Sequence, residues 1–386
     1  MLIDDKQLNK TSVLFIIDSL TCGGAEKSLI SLLPLLDYST INVDLMMVNK
    51  GGVFEEYVPK QVHIVDSPNF KGLWSDICLA GFRVFRRLLP KRHGAELRWQ
   101  AMSSAYQELD KSYDVAIAYQ QGFPTYYLAE KVNATKKFAW VNIDLEKAGY
   151  RSAFNRPFYD KMDRVVPVSD RLCEMLKESD YVNGSKLYTV FDILNVDLIK
   201  KMSHETIQTK TTSKDLIIVT VGRMVAQKGY DLAVASAKIL KANGISFKWY
   251  FVGDGGKRSE IEQMISDSGL EEYIVLVGMT PNPYPYMAMA DIYVQTSKFE
   301  GFGLTLNEAR ILNKPVISTN FPVVYNQIRD GENGLICEMT PESIAAKIML
   351  LASNVQLREK LIDATRTEVN TTSITEPQKV MNLILS

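Results

Sequence analysis

The chain is short of the residues that hold metals and disulfides. Its 386 residues include three histidines and four cysteines. Cys22, Cys78, Cys173 and Cys337 are scattered, with no Cys-x2-Cys spacing, which argues against a structural zinc site and fits a reducing cytosol. No Asp-x-Asp triplet occurs, so the usual local form of a paired-carboxylate Mn²⁺ or Mg²⁺ site is missing. No run of 18 apolar residues occurs, so nothing reads as a membrane span. Met1-Leu2-Ile3-Asp4-Asp5 has no basic-then-apolar signal pattern. Charge of one sign is lacking too: 44 Lys and Arg oppose 45 Asp and Glu, and a net charge of −1 gives no electrostatic case for nucleic acid.

What remains is an ordinary globular composition, 46% apolar and 23% charged, on a chain long enough for two full cores. Apolar runs at residues 13–17, 43–48, 62–65, 115–118, 138–141 and 165–168 read as strands separated by amphipathic helices, with Ser169 or Asp170 free to cap the helix after the last run. The pattern decays between Phe191 and Asp215, most linker-like at residues 209–214. A second alternation follows at 216–221, 247–252, 274–277, 292–294 and 315–318. Strands alternating with helices predict parallel sheets covered on both faces. The expected fold is therefore α/β, with two Rossmann-like doubly wound domains facing a cleft. Open sheets of this kind bind ligands at the carboxyl ends of their strands.

The most informative stretch is Phe299-Glu300-Gly301-Phe302-Gly303-Leu304-Thr305-Leu306-Asn307-Glu308. Two carboxylates flank a Gly-x-Gly turn that opens a helix. The first amides of a helix lack internal partners and sit at the positive dipole end, so this is an anion site between two hydroxyl acceptors. A nucleotide sugar needs that combination. Upstream, Val221-Gly222-Arg223-Met224-Val225-Ala226-Gln227-Lys228-Gly229 sets a guanidinium fork and a point charge just past a strand end, both suited to phosphate. Either cation could also be a solvated surface charge.

These residues resemble the Glu-x7-Glu motif and the Gly-Arg-(x4)-Lys-Gly segment of the GT4 family of retaining GT-B glycosyltransferases. Phe251-Val252-Gly253-Asp254-Gly255, the run from Asn282 to Met287, and Gly23-Gly24-Ala25-Glu26 resemble further family segments in the same order, over roughly residues 12 to 370. The resemblance implies an N-terminal acceptor-binding domain over 1–205, a nucleotide-sugar-binding domain over 206–370, and a C-terminal segment, 371–386, whose helix crosses back to the first domain. It implies ribose binding by Glu308 and a donor-sugar contact by Glu300. It further implies that Arg223 and Lys228 stabilise the leaving diphosphate and that Gly301, Phe302, Gly303 and Leu304 surround it. Gly23 and Gly24 bring backbone toward donor or acceptor; a plain helix-start turn is the other reading.

One departure stands out. By the same resemblance Asn142 is a donor-binding residue, since many relatives carry, where Trp140-Val141-Asn142 places it, a histidine that touches the donor sugar; asparagine cannot take a proton near neutral pH. Asp144, the nearest ionisable group, is a candidate for acceptor activation or simply a loop cap. No metal or other cofactor is expected, the nucleotide sugar being a co-substrate.

Residues 82–93 carry five Lys and Arg and no acid, with Phe82, Phe85, Leu88 and Leu89 at helical spacing. Arg83, Arg86, Arg87, Lys91 and Arg92 could meet an anionic membrane surface, or form the solvated back of a core helix. The resulting expectation is a cytoplasmic enzyme, peripheral on the inner face of the cell membrane. It moves a hexose or N-acetylhexosamine from a UDP-linked sugar, GDP staying open, to a lipid-linked oligosaccharide. A nucleotide-sugar epimerase and a nucleotide-binding scaffold are the competing readings.

Overall fold

The computed structural model describes residues 10–21, 23–67, 73–89, 92–207, 215–300 and 303–386. The first alternation forms β1 (Thr11–Ile17), β2 (Ile41–Met47), β3 (His63–Val65), β4 (Tyr113–Ala118), β5 (Ala134–Val141) and β6 (Arg164–Pro167). These pair as one parallel sheet in the order β3-β2-β1-β4-β5-β6. The second forms β7 (Leu216–Val221), β8 (Phe247–Val252), β9 (Ile274–Gly278), β10 (Ile292–Gln295), β11 (Val316–Thr319) and β12 (Leu335–Cys337). Their order, β12-β11-β10-β7-β8-β9, repeats the first sheet's pattern.

The reason is visible in the runs themselves. Val13 to Ile17 are wholly buried, as strands covered by helices on both faces must be. The second sheet packs Ile218, Trp249, Phe251, Ile292 and Val294 against Ala233, Val234, Ala237, Ile344 and Ile348 of its covering helices. In each sheet the chain reverses direction between its first and fourth strands, β1 beside β4 and β7 beside β10. Those two reversals are where an open α/β sheet receives ligands. Ser169 is the cap the sequence left open: its Oγ accepts from the amide of Leu172 at 3.2 Å.

The chain divides into two compact units, but not at the expected boundaries. The first ends at Ile193 and takes back Glu376–Ser386; the second is Leu194–Thr375. Residues 194–205 go with the second unit because helix Val196–Ser203 packs on helix Tyr284–Met289, and Asn282 Nδ2 donates to the Met202 carbonyl at 2.8 Å. The expected linker, 209–214, lies outside the described residues. At the far end one helix, Val355–Leu385, replaces the separate terminal helix expected after residue 370. Glu376 on it accepts from the amide of Phe191 at 2.9 Å, which fixes where the first unit resumes.

Candidate active site

At the second sheet's reversal, the loops after β7 and β10 are stitched together by backbone. The Lys298 amide donates to Gln227 O at 2.7 Å, Gln227 Nε2 to Phe299 O at 2.9 Å, and Thr296 Oγ1 to Lys228 O at 2.9 Å. Gly229 makes this possible. Its φ is +65°, and a Cβ there would stand 2.0 Å from Thr296 O. Gly253, at φ +141°, brings the loop after β8 as near to Gly222, where a Cβ would meet Gly222 O at 2.0 Å.

Glu300 is the centre of the resulting arrangement. Lys228 Nζ at 2.6 Å, Gln295 Nε2 at 2.7 Å and Ser297 Oγ at 2.5 Å all donate to its Oε1. None of the described residues donates to Oε2. The side chains of Glu300 and Lys228 are 8% and 18% exposed, so the pair is largely shielded but reachable. Gln295 is itself oriented: its Oε1 accepts from Tyr293 at 2.8 Å and Thr305 at 2.9 Å, which turns its amide nitrogen toward Glu300. Burial holds the Tyr293 phenol well above its ordinary range, so it stays a donor. The network fixes Glu300 in place and leaves one oxygen without a donor among the described residues.

Glu308 lies on helix Leu304–Ile311, fully buried, with Tyr284 OH donating to its Oε1 at 2.9 Å. Gly303 caps that helix at φ +90°, ψ 47°, a left-handed conformation that glycine adopts without strain. Leu304 is buried just inside it. Gly301 and Phe302 lie outside the described residues. Arg223 is exposed and carries no ion pair among the described residues, so its guanidinium is available to an incoming anion.

In the first unit, Gly23 precedes helix Gly24–Leu32 in extended conformation, and Glu26 folds back over it: a Cβ on Gly23 would lie 2.1 Å from Glu26 Oε2. Asn142 follows β5. Its amide donates to Gln121 Oε1 at 3.0 Å and its Nδ2 to Tyr119 O at 3.2 Å, while its buried Oδ1 has no hydrogen-bond partner. Asp144 is engaged locally by Lys147, through the amide at 3.1 Å and Nζ at 3.3 Å, the arrangement of a loop cap. Arg83, Arg86 and Arg87 are exposed on helix Leu73–Leu88 with Ile77 and Leu88, the latter 70% exposed. Arg92 is half-buried, and Lys91 lies outside the described residues.

Sequence reasoning brought Lys228, Glu300 and the start of the Glu308 helix to one place, and there the structure puts them. It missed Gln295 and Ser297, which hold Glu300, and Tyr284, which holds Glu308. A glutamine closing an otherwise apolar strand was the available signal for the first. It also treated Lys228 as a free cation, whereas the ammonium is paired with Glu300. With three donors, it keeps two for a phosphate. Among the described residues no cluster of His, Cys, Asp and Glu could hold a metal ion.

Over 97% of its length the chain is similar to HepE of Anabaena, solved with UDP and glucose, with a TM-score of 0.72, 16% identity and 99% of that chain covered. Its architecture is that of the GT-B glycosyltransferases. Residues 203–368, the part that carries Arg223, Lys228, Glu300 and Glu308, match the family described as glycosyl transferases group 1. The chain is 24% identical over 335 residues to a Campylobacter jejuni enzyme, covering 85% of this chain and 86% of that one. That relative is N-acetylgalactosamine-N,N'-diacetylbacillosaminyl-diphospho-undecaprenol 4-alpha-N-acetylgalactosaminyltransferase. A Staphylococcus aureus poly(ribitol-phosphate) alpha-N-acetylglucosaminyltransferase is 30% identical over 190 residues, 46% of this chain and 38% of that one.

Proposed function

We propose that this protein is a retaining glycosyltransferase of cell-surface glycan assembly. It moves a hexose or N-acetylhexosamine from a UDP-linked sugar to a lipid-linked oligosaccharide without a metal ion. The observation that carries the reading is Glu300, held through Oε1 by three donors with none to Oε2 among the described residues, beside the Gly303 helix start and the buried Glu308. Glu300 accepts from a donor-sugar hydroxyl and Glu308 from the ribose. Arg223, Lys228 and the helix-start amides take up the charge that grows on the departing diphosphate, where fixed donors are worth most in the transition state. The acceptor attacks from the face the diphosphate leaves, and the leaving phosphate draws off its proton.

UDP is favoured by the UDP-bound relative from Anabaena, and the lipid carrier by the name of the Campylobacter enzyme. Among the described residues no helix is long and apolar enough to cross a membrane. Access to a lipid-linked acceptor falls to the exposed basic face of helix Leu73–Leu88, which lies on anionic lipid at the cytoplasmic surface. The test is transfer from a panel of UDP-sugars in the presence of a chelator. An α-linked product, formed at an undiminished rate, is expected; a β-linked product overturns retention, and chelator inhibition overturns metal independence.

A further inference from the structure

The reversal in the first sheet carries a second polar constellation, centred on a carboxylate that the proposed donor contacts leave unused. Asp18 follows β1 directly, beside β4 and its continuation Tyr119-Gln120-Gln121. Its backbone is tied down: the amide donates to Gln120 Oε1 at 3.4 Å, and the carbonyl accepts from the Asn49 amide at 2.8 Å. Its carboxyl group has no hydrogen bond or ion pair among the described residues. The neighbours that act on it come from separate elements: Arg98 on helix Gly94–Met102, Glu26 on helix Gly24–Leu32, and the phenols of Tyr106 and Tyr150. Arg98 donates to Tyr106 OH at 3.1 Å, lies 5.3 Å over the Phe123 ring, and makes no ion pair among the described residues. Tyr150 stacks on His93 at 3.8 Å and reaches Gly122, at φ +86°, where a Cβ would come within 2.9 Å of its hydroxyl. Gln121, next to Gln120, holds Asn142, whose buried Oδ1 is also without a partner.

A carboxylate with no hydrogen bond and a guanidinium with no ion pair among the described residues, framed by two phenols and two amides, are a poor way to stabilise a fold and a good way to hold a polyhydroxyl ligand. Leaving such groups unsatisfied costs free energy unless a ligand completes them. We infer that Asp18 binds the acceptor, accepting a hydrogen bond from the hydroxyl that is to be glycosylated, with Arg98 as its neighbouring cation. The inference rests on the proposed transferase activity. The carboxylates and cations assigned to the donor, Glu300, Glu308, Arg223 and Lys228, belong to the second unit, which leaves the Asp18 carboxylate to the sugar acceptor. Desolvation pushes the Asp18 carboxyl up to about 6, with Glu26 adding to the rise and Arg98 opposing it, so its ionisation is incomplete just below neutrality. The proton of the hydroxyl still leaves with the departing phosphate; Asp18 orients the oxygen.

Asp18→Asn keeps the shape and removes the charge. The assay uses prenyl-diphosphate-linked oligosaccharides ending in a hexose or N-acetylhexosamine as acceptors, with UDP-sugars as donors. The expected result is an acceptor KM raised at least tenfold, loss of the acid limb near pH 6 in kcat/KM for acceptor, and an unchanged UDP-induced melting shift. Arg98→Gln should move that limb to higher pH, because the charge that lowers the Asp18 pKa is gone. A merely structural Asp18 would not move the limb. Unchanged acceptor KM and pH profile in Asp18→Asn overturn the inference while leaving the transferase reading intact. Loss of the UDP shift in that variant assigns Asp18 to the donor side and overturns it as well. A native protein that binds UDP yet glycosylates none of these acceptors brings down the transferase reading, and this inference with it.

Discussion

Replacing Lys228 with methionine keeps an unbranched apolar stem and removes the ammonium, which isolates one contact. In the free protein the change deletes the 2.6 Å bond to Glu300 Oε1 and leaves Gln295 and Ser297 still donating to the same oxygen. A fully buried pair broken on one side costs about 3–5 kcal/mol. Here Glu300 retains two neutral donors, and its partner is 18% exposed, so the cost to folding should fall to roughly 1–2 kcal/mol. The catalytic effect should be larger. Lys228 would meet the diphosphate when its charge is greatest, and removing one such donor costs on the order of 10²-fold or more in turnover. Two assays separate the effects: urea denaturation of the free protein, and single-turnover transfer with saturating donor. Glu300→Gln, alone and combined with Lys228→Met, completes a cycle whose coupling in stability should be about 1 kcal/mol. Turnover near that of the native protein would remove Lys228 from the transition state. No coupling with Glu300 would show that the ion pair adds nothing in solution.

Gly229→Ala should destabilise the second unit by about 2–3 kcal/mol and abolish transfer, because it sets a Cβ against Thr296 O at a φ of +65°; a melting temperature within a degree of native would contradict this. Asp192 is buried, one carboxyl oxygen lacks a partner, and desolvation raises its pKa from 3.8 to about 7 despite a hydrogen bond with Ser28. The folded state therefore holds a proton that the unfolded chain releases near pH 4, and the stability from this group is lost as pH rises through about 7. Asp192→Asn should gain on the native protein by on the order of 1–3 kcal/mol between pH 5 and pH 8 in urea titrations, and parallel pH profiles would refute it. Changing Arg83, Arg86 and Arg87 together to glutamine should weaken binding to anionic vesicles by about 1 kcal/mol per charge; unchanged partition in a flotation assay would return that helix to the solvated reading.

The parts of the fold legible beforehand were those in which local pattern and tertiary burial agree. Runs such as Val13 to Ile17 could be placed because a strand covered on both faces must be apolar throughout. Leu335–Cys337 escaped notice because three residues make no pattern. The long helix Val355–Leu385 was hidden by a polar stretch and by Pro377, which reads as a break but stands inside the helix. The unit boundary was misplaced for a related reason. Polar composition continues to residue 215, whereas helix Val196–Ser203 is held to the second unit by a contact to Asn282, distant in sequence.

At the site, glycines at 229 and 303 announced themselves, since glycine is the residue that takes their backbone angles without strain. The Lys228–Glu300 pair did not, because its members are 72 residues apart and the pairing depends on how β7 and β10 lie side by side. Asp18 was invisible for the opposite reason. One aspartate at a strand end is common, and it stands out only because its carboxyl group has no hydrogen bond among the described residues.

The central claim is that the second unit binds a nucleotide sugar through Glu308 and the helix that carries it. Melting the protein with UDP, GDP, ADP, CMP and dTDP, then repeating with Glu308→Gln, tests it most directly, since glutamine keeps an oxygen for Tyr284 and loses the charge for the ribose. A ligand at a hundred times its Kd adds about 2.7 kcal/mol of stability. The account predicts that UDP produces such a shift and that the variant roughly halves it or removes it. No shift with any nucleotide, or an equal shift in Glu308→Gln, would contradict it.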